Sequence, residues 1–429
     1  MPSLLSPSLL FTYAFTAALV LGLLLKVWLA SRQIRSVARH RAAVPADFDG
    51  HVTLAAHQRA ADYTIAKTRF GLLELALSSA VLLGWTLLGG LDALNQALLA
   101  WLGGGMVQQL ALLACFALIG GVIDLPLQWW QTFVIEQRYG FNQMRPHLWV
   151  ADLVKSTLVA AVIGLPLAAL VLWIMQAAGS LWWLWAWGVL VVFNLSMMVV
   201  YPLWIAPLFN RFQPLEDEAI KTRVSELMQR CGFRAKGFFV MDGSRRSAHA
   251  NAYFTGLGHA KRVVFFDTLL RQLSPDEVQA VLAHELGHFK HRHVLRRMLG
   301  VFVLSLAGLA LLGWLATRGW FYTGLGVQPN LTLDASAPNN ALALLLFMLA
   351  VPVFTVFITP LFAQLSRRDE FQADAYAARQ ASRGDLRSAL LKLYQDNAST
   401  LTPDPVYARF YYSHPPASER LAHLTHAPS

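Results

Sequence analysis

The sequence predicts a mainly α-helical, polytopic membrane protein with a small α+β unit inserted between its spans, and three observations predict it. The 429-residue chain is 56% hydrophobic, with a mean hydropathy of +0.44, 14 Trp and 25 Phe, too apolar for a soluble chain of this size. It contains seven runs of about twenty predominantly apolar residues, the length a helix needs to cross a bilayer core. Between the fifth and sixth runs the pattern breaks into a charged segment with short β-like stretches.

The spans are expected near residues 9–31, 70–90, 106–133, 150–176, 181–206, 297–317 and 341–365. No basic region precedes the first run, so it is expected as a retained helix and not as a cleaved signal. Orientation follows from the connections. Arg32, Arg35, Arg39, Arg41, Arg59, Lys67 and Arg69 follow the first span, 91–105 has no Lys or Arg, and 134–149 carries Arg138 and Arg145. The alternation continues: 177–180 has none, 207–296 is rich in them, 318–340 has only Arg318, and Arg367 and Arg368 follow the last span. By the positive-inside rule the N-terminus is outside and the C-terminus cytoplasmic. The expected division is 1–206 (five spans with the cytoplasmic loop 32–69), 207–296 (a cytoplasmic α+β unit), 297–365 (two spans) and 366–429 (a C-terminal segment).

The net charge of +10 is explained by this topology and points to anionic lipid, not to nucleic acid, whose footprint would be a basic patch on a soluble domain. Cys115 and Cys231 can form neither a disulfide framework nor a zinc site. Glu74, Asp124, Asp152 and Lys155 fall at or near membrane depth, where ionisable groups face a bundle interior or water, or snorkel.

In the soluble segment, 216–231 reads as a helix and 237–241, 249–254 and 262–266 as strands, with Asn251 to Phe254 the candidate open edge for an extended peptide. Ser274-Pro275-Asp276-Glu277 then reads as a helix start with a capping box. The helix it opens carries His284-Glu285-Leu286-Gly287-His288, the zincin arrangement. Residues at i and i+4 share a face, so both imidazoles can reach one Zn2+ ion at about 2.0–2.1 Å, leaving Glu285 as general base for a zinc-activated water. A chance match on an ordinary amphipathic helix would bury unpaired histidines at a cost of several kcal/mol.

A catalytic zinc needs a third protein ligand and an open fourth position. The histidine helix runs into the sixth span and the chain returns through the seventh, so the stretch after residue 365 lies on the same membrane face. There Glu370 and Asp374 share a helix face; Glu370 fits as third ligand, and Asp374 as acceptor for the second nitrogen of a ligating imidazole. The competing expectation is that both pair with Arg367, Arg368 or Arg379 on a solvated face.

These residues carry a resemblance. H-E-L-G-H at 284–288, R-R-D-E-F-Q-A-D-A-Y-A at 367–377, S-A-H-A-N-A-Y-F-T-G at 247–256, F-F-D-T-L-L at 265–270, Y-S-H-P-P-A-S-E-R-L at 412–421 and F-V-I-E-Q-R-Y-G-F-N at 133–142 resemble the CAAX prenyl protease type I family, in family order. The resemblance implies an integral-membrane gluzincin endopeptidase whose seven helices form a barrel around a water-filled chamber, with a zincin domain at its cytoplasmic end. It carries over His284, His288 and Glu370 as ligands of one zinc per chain, and Glu285 as base. It adds His414 and Arg420 as oxyanion stabilisers, and Asn251 with Ala252 and Tyr253 as the strand that holds substrate.

The expected partners are a peptide or protein substrate, prenylated or not, and the lipid bilayer. The Ala- and Leu-rich composition, with Arg exceeding Lys, suggests a bacterial cell membrane and a role in cutting membrane-associated polypeptides beyond CAAX proteins. Two alternatives compete: a non-catalytic seven-span transporter or scaffold with structural zinc, and a shorter heat-shock-type membrane zincin. A closed four-ligand site would favour the first; the seven spans and the 133–142 segment count against the second.

Overall fold

The computed structural model describes residues 6–233, 237–255, 262–329 and 340–426. Helix α1 (Pro7–His40) starts at Ser6, whose hydroxyl accepts from the Leu9 N–H, and α2 (Leu54–Trp85) starts at Thr53 in the same way. The expected second span to residue 90 ends earlier, and the connection expected at 91–105 is instead a helix, α3 (Gly90–Leu102), bent 48° from α2. Gly89, at φ 76°, breaks the axis, and Leu91, Asn95 and Leu98 give α3 a buried face.

Next come α4 (Met106–Trp130), which continues as a π-helical turn through Glu136, α5 (Pro146–Ala177), and α6 (Trp182–Val200), which passes through a second π turn into α7 (Ala206–Phe209). Later in the chain lie α11 (His293–Leu315), α12 (Gly319–Thr323) and α13 (Asn340–Thr355), which a short 3-10 turn joins to α14 (Thr359–Gln380). Among the described residues six runs are long and apolar enough to cross a membrane, and seven with the α2–α3 pair counted as one. Their outer faces leave Leu24, Val122, Val162, Val192 and Val303 exposed, as helices solvated by lipid tails do.

The inserted unit holds α8 (Glu218–Arg230), α9 (Asp267–Gln272), α10 (Pro275–Lys290) and a four-stranded sheet of order β1-β2-β4-β3, from β1 (Phe212–Pro214), β2 (Gly237–Met241), β3 (Ala252–Thr255) and β4 (Arg262–Phe266). Two corrections apply to the expected strands: β1 is additional, and the strand expected from His249 begins only at Ala252. Gly256 of the 247–256 motif lies outside the described residues. β3 pairs with β4 alone and stands at the sheet edge, while β4 is sandwiched between β2 and β3.

Helix α10 opens with the expected capping box, and the buried Glu277 carboxylate also accepts from Ser388 and Lys392 of α15 (Arg383–Asp396). Helices α16 (Pro405–Tyr411) and α17 (Ala417–His426) close the chain. Val278, Leu282 and Leu286 of α10 pack with α8, β4 and Leu386 and Leu390 of α15 in one apolar core, apart from the core shared by the membrane helices.

Helix α10 packs closely on α14. A Cβ added at Gly287 would lie 2.9 Å from Ala373 Cα and 3.1 Å from its carbonyl oxygen, so only glycine fits there without moving a backbone. Gly287→Ala should gain about 0.5–1 kcal/mol of helix propensity yet lose about 1–3 kcal/mol to overpacking. The expected result is a lower melting temperature in detergent; a raised one would mean that α10 and α14 are not in this contact.

Candidate active site

Two helix faces meet to make the site. His284 and His288 project from one face of α10, and Glu370 and Asp374, likewise four residues apart, from the opposing face of α14. His284 Nε2 lies 3.2 Å from His288 Nε2 and 3.3 Å from Glu370 Oε2, and His288 Nε2 lies 3.4 Å from Glu370 Oε1. Three ligands at about 2.0–2.1 Å from one tetrahedral ion stand about 3.4 Å apart, so the spacing fits a single metal. Glu370 Oε2 is buried with no hydrogen-bond partner among the described residues, an acceptor oriented to the same point. The three residues form a group able to hold a metal ion.

The surroundings fix which nitrogens are available. His284 Nδ1 is 2.8 Å from Asp374 Oδ1, which directs its Nδ1–H to that carboxylate and leaves Nε2 for the metal point. Asp374, fully buried, also accepts from Arg420 Nε at 2.8 Å and Nη2 at 2.5 Å, and that guanidinium reaches within 3.4 Å of His284 Nδ1. Burial opposes charge on Arg420, but Asp374 outweighs it and raises its pKa. Among the described residues Arg367 pairs with Glu419, and Glu370 and Asp374 are buried and not on a solvated face.

Glu285 opens on a 140 Å³ cleft that His284, Asn251, Ala252, Asn397, His414 and Arg420 also line. Burial raises the Glu285 pKa above the ordinary carboxylate range, with Glu370 adding to the effect. His414 stands on the other side, its Nε2 3.4 Å from Glu370 Oε1 and its Nδ1 3.0 Å from Ser413 Oγ. Its ring faces the cavity it lines, and the protein around it lowers its pKa by desolvation.

Of the expected strand residues, Asn251 and Ala252 reach the cleft, but the Tyr253 side chain does not. Alternation along β3 turns Ala252 and Phe254 towards α10 and Tyr253 to the opposite face, beside Met241 and Phe266.

The sequence reading had not singled out Asn397, His249 or His293. Asn397 Oδ1, at the C-cap of α15, accepts from the Ala250 N–H and lies 3.2 Å from His249 Nδ1, anchoring the chain that leads into β3. His249 stacks on Phe141 and faces Glu136, which accepts from Tyr63. A motif match at 133–142 and 247–256 was the only signal for these contacts, since the residues lie far apart in sequence. The cleft adjoins an 850 Å³ cavity through Asn397, His414 and Arg420, and that cavity adjoins one of 830 Å³ through Lys67, Thr68, Tyr407 and Tyr411. Glu74 and Asp124 line the latter, whereas Asp152 pairs with Arg246 and Lys155 donates to the Leu208 carbonyl.

Helices that cross a membrane repeatedly, joined to an enclosed site of two histidines and a carboxylate beside a free glutamate, place the molecule in the class of integral-membrane metallopeptidases. Known proteins narrow the class. Residues 33–211 match the CAAX prenyl protease N-terminal region of five membrane helices, and residues 214–427 match peptidase family M48. The chain is 32% identical over 418 residues to the CAAX prenyl protease 1 homolog of Oryza sativa subsp. japonica, covering 92% of this chain and 93% of that one. To CAAX prenyl protease 1 of Saccharomyces cerevisiae it is 36% identical over 339 residues, 74% of this chain and 72% of the other. The crystal structure of S. mikatae Ste24p matches with a TM-score of 0.89 at 28% identity, over 96% of this chain and 99% of that one. The chain therefore belongs to the CAAX prenyl protease family of M48 peptidases, and it is a multi-pass membrane metalloendopeptidase.

In the metal-free protein His284 is opposed by burial but raised by Asp374 and Glu370 to a pKa of about 9, while burial lowers His288 to about 4. A raised pKa means that His284 holds its second proton below about pH 9, and a metal must displace it from Nε2. Metal affinity should therefore fall about tenfold per pH unit below pH 9, with about one proton released per ion at pH 7. Isothermal titration in buffers of different ionisation enthalpy measures this; pH-independent affinity between 6.5 and 8.5 would contradict it.

Proposed function

We propose that the chain cuts peptide bonds of membrane-associated polypeptides, with His284, His288 and Glu370 holding one zinc and Glu285 acting as general base. The observation that carries this reading is the 3.2–3.4 Å spacing between His284 Nε2, His288 Nε2 and the two Glu370 carboxylate oxygens, beside the half-buried Glu285. When bound, zinc would polarise the scissile carbonyl and acidify an attacking water. Glu285, made more basic by burial, takes the proton from that water and passes it to the leaving amine. His414, across the cleft, and Arg420, through the guanidinium edge not committed to Asp374, donate to the oxyanion that develops on the carbonyl. Arg420 has a further part, since its pairing with Asp374 fixes the carboxylate that orients His284.

The edge position of β3 supports strand addition by substrate: Asn251 and Ala252 face the cleft, and Tyr253 contributes its backbone. We read the adjoining cavities as one hydrated chamber inside a seven-helix barrel, with the sheet and α10 as a small zincin domain at its cytoplasmic end. The N-terminus then lies outside, and the host is a bacterial cell membrane. Relatives named as CAAX prenyl proteases support CAAX-type substrates, prenylated or unmodified.

Zinc content and peptide cleavage of the detergent-purified protein test the assignment. Wild type and Glu285→Ala should each bind about one zinc, and the variant should lose about 100- to 10,000-fold in kcat, the loss typical of removing a general base. Wild type that binds zinc but cleaves neither a farnesylated CAAX peptide nor unmodified peptides would overturn the reading. His414→Ala should lower kcat by about 100-fold with little change in KM, as expected for a group used in the transition state; an effect on KM alone would assign it to substrate binding.

A further inference from the structure

Asp374 orients one of the two histidines, and the structure shows a second device of the same kind for the other. Helix α10 ends at Lys290, and Arg292 takes a left-handed conformation, φ 56°, unusual for a side chain other than glycine. The reversal returns His293, the first residue of α11, onto the metal-facing helix. His293 is 2% exposed, and its Nδ1 lies 2.9 Å from His288 Nδ1. Its Nε2 lies 3.0 Å from Gln372 Oε1 and 3.7 Å from Asp369 Oδ1.

Those distances fix the direction of the chain. Both groups facing His293 Nε2 are acceptors, so in the neutral ring that nitrogen carries the hydrogen and Nδ1 is left with a lone pair. A lone pair 2.9 Å from His288 Nδ1 requires His288 to donate there, and a neutral imidazole that donates from Nδ1 has a bare Nε2. That bare atom lies 3.4 Å from Glu370 Oε1, at the metal point. Gln372 and Asp369 belong to α14, the helix that supplies Glu370, so the relay also sets the ring against the third ligand.

We propose that His293 is a positioning residue for the metal centre, a neutral acceptor, anchored by Gln372, that holds His288 as the tautomer and in the rotation needed for ligation. The proposal rests on His288 being a ligand. It differs from the Asp374 arrangement in carrying no charge: His284 is oriented by a carboxylate and His288 by an imidazole, so the two ligands are held with unequal electrostatic strength.

The test is zinc affinity, measured at pH 7.5 by competition with a chromophoric chelator on the full-length protein in detergent, with metal-free melting temperature as a folding control. Asn places an amide oxygen close to the position of the histidine Nδ1, so His293→Asn keeps the acceptor and His293→Ala removes it. The Ala variant should bind zinc about 10–100-fold more weakly. The Asn variant should recover most of that loss, and Gln372→Leu, which removes only the far anchor, should weaken binding less than Ala does. Affinity of the Ala variant equal to wild type, or Asn no better than Ala, would overturn the proposal. If His293→Ala does not fold, Gln372→Leu and His293→Asn against wild type decide it: the former must weaken zinc binding and the latter bind within a few-fold of wild type. Wild type that binds no zinc would refute the ligand assignment itself, a different result from failure of the relay.

Discussion

The contact between α10 and α14 at Gly287 and Ala373 sets the geometry of everything around the histidines. A metal site tolerates errors of only a few tenths of an ångström in ligand position, and here the candidate ligands come from two helices that α11, α12 and α13 separate in the chain. Glycine lets the backbones approach until a methyl group would no longer fit, and at that separation the i, i+4 pairs of both helices face each other. The capping box and the Glu277 bonds to α15 hold the other end of α10. The helix is therefore fixed at its start by hydrogen bonds and in its last turns by packing.

Charge in the centre is arranged in layers. The ligand atoms form the inner layer; Asp374 and His293 stand behind the two imidazoles; Arg420 stands behind Asp374. An isolated buried carboxylate would be strongly penalised, and an Arg partner with two hydrogen bonds is what makes Asp374 tolerable at zero exposure. The same arrangement loads His284 with a proton in the metal-free state, so metal and proton compete for one nitrogen. Glu285 lies outside this network of pairs and keeps the basicity that burial gives it.

The membrane helices contribute position more than chemistry. α11 and α13 carry the chain away from the histidines and back to Glu370, and the walls between α1, α2, α4 and α16 leave internal space that adjoins the cleft beside Glu285. Asn397, His414 and Arg420 lie on the wall common to the cleft and the larger cavity, so the groups proposed to serve the oxyanion stand between that cavity and Glu285.

How much of this was legible depended on the range of each interaction. The capping box, the i, i+4 faces, the span lengths and the strands at 237–241 and 262–266 are local, and local backbone geometry follows from residue type and spacing. Glu370 and Asp374 were reachable because a two-span excursion must return to the same face. α3 was read as a bare connection because an apolar face of thirteen residues falls short of a span, and only packing against α4 reveals it as a helix. The facing of Tyr253 away from the cleft depends on strand phase, set by where β3 meets β4. Asn397 behind Ala250, Arg420 on Asp374 and His293 on His288 combine residues that no spacing rule links. The sequence by itself determined which helices form and which side chains could bind metal; the tertiary structure decided which groups stand behind each histidine, because those hydrogen-bond partners are contributed by other helices.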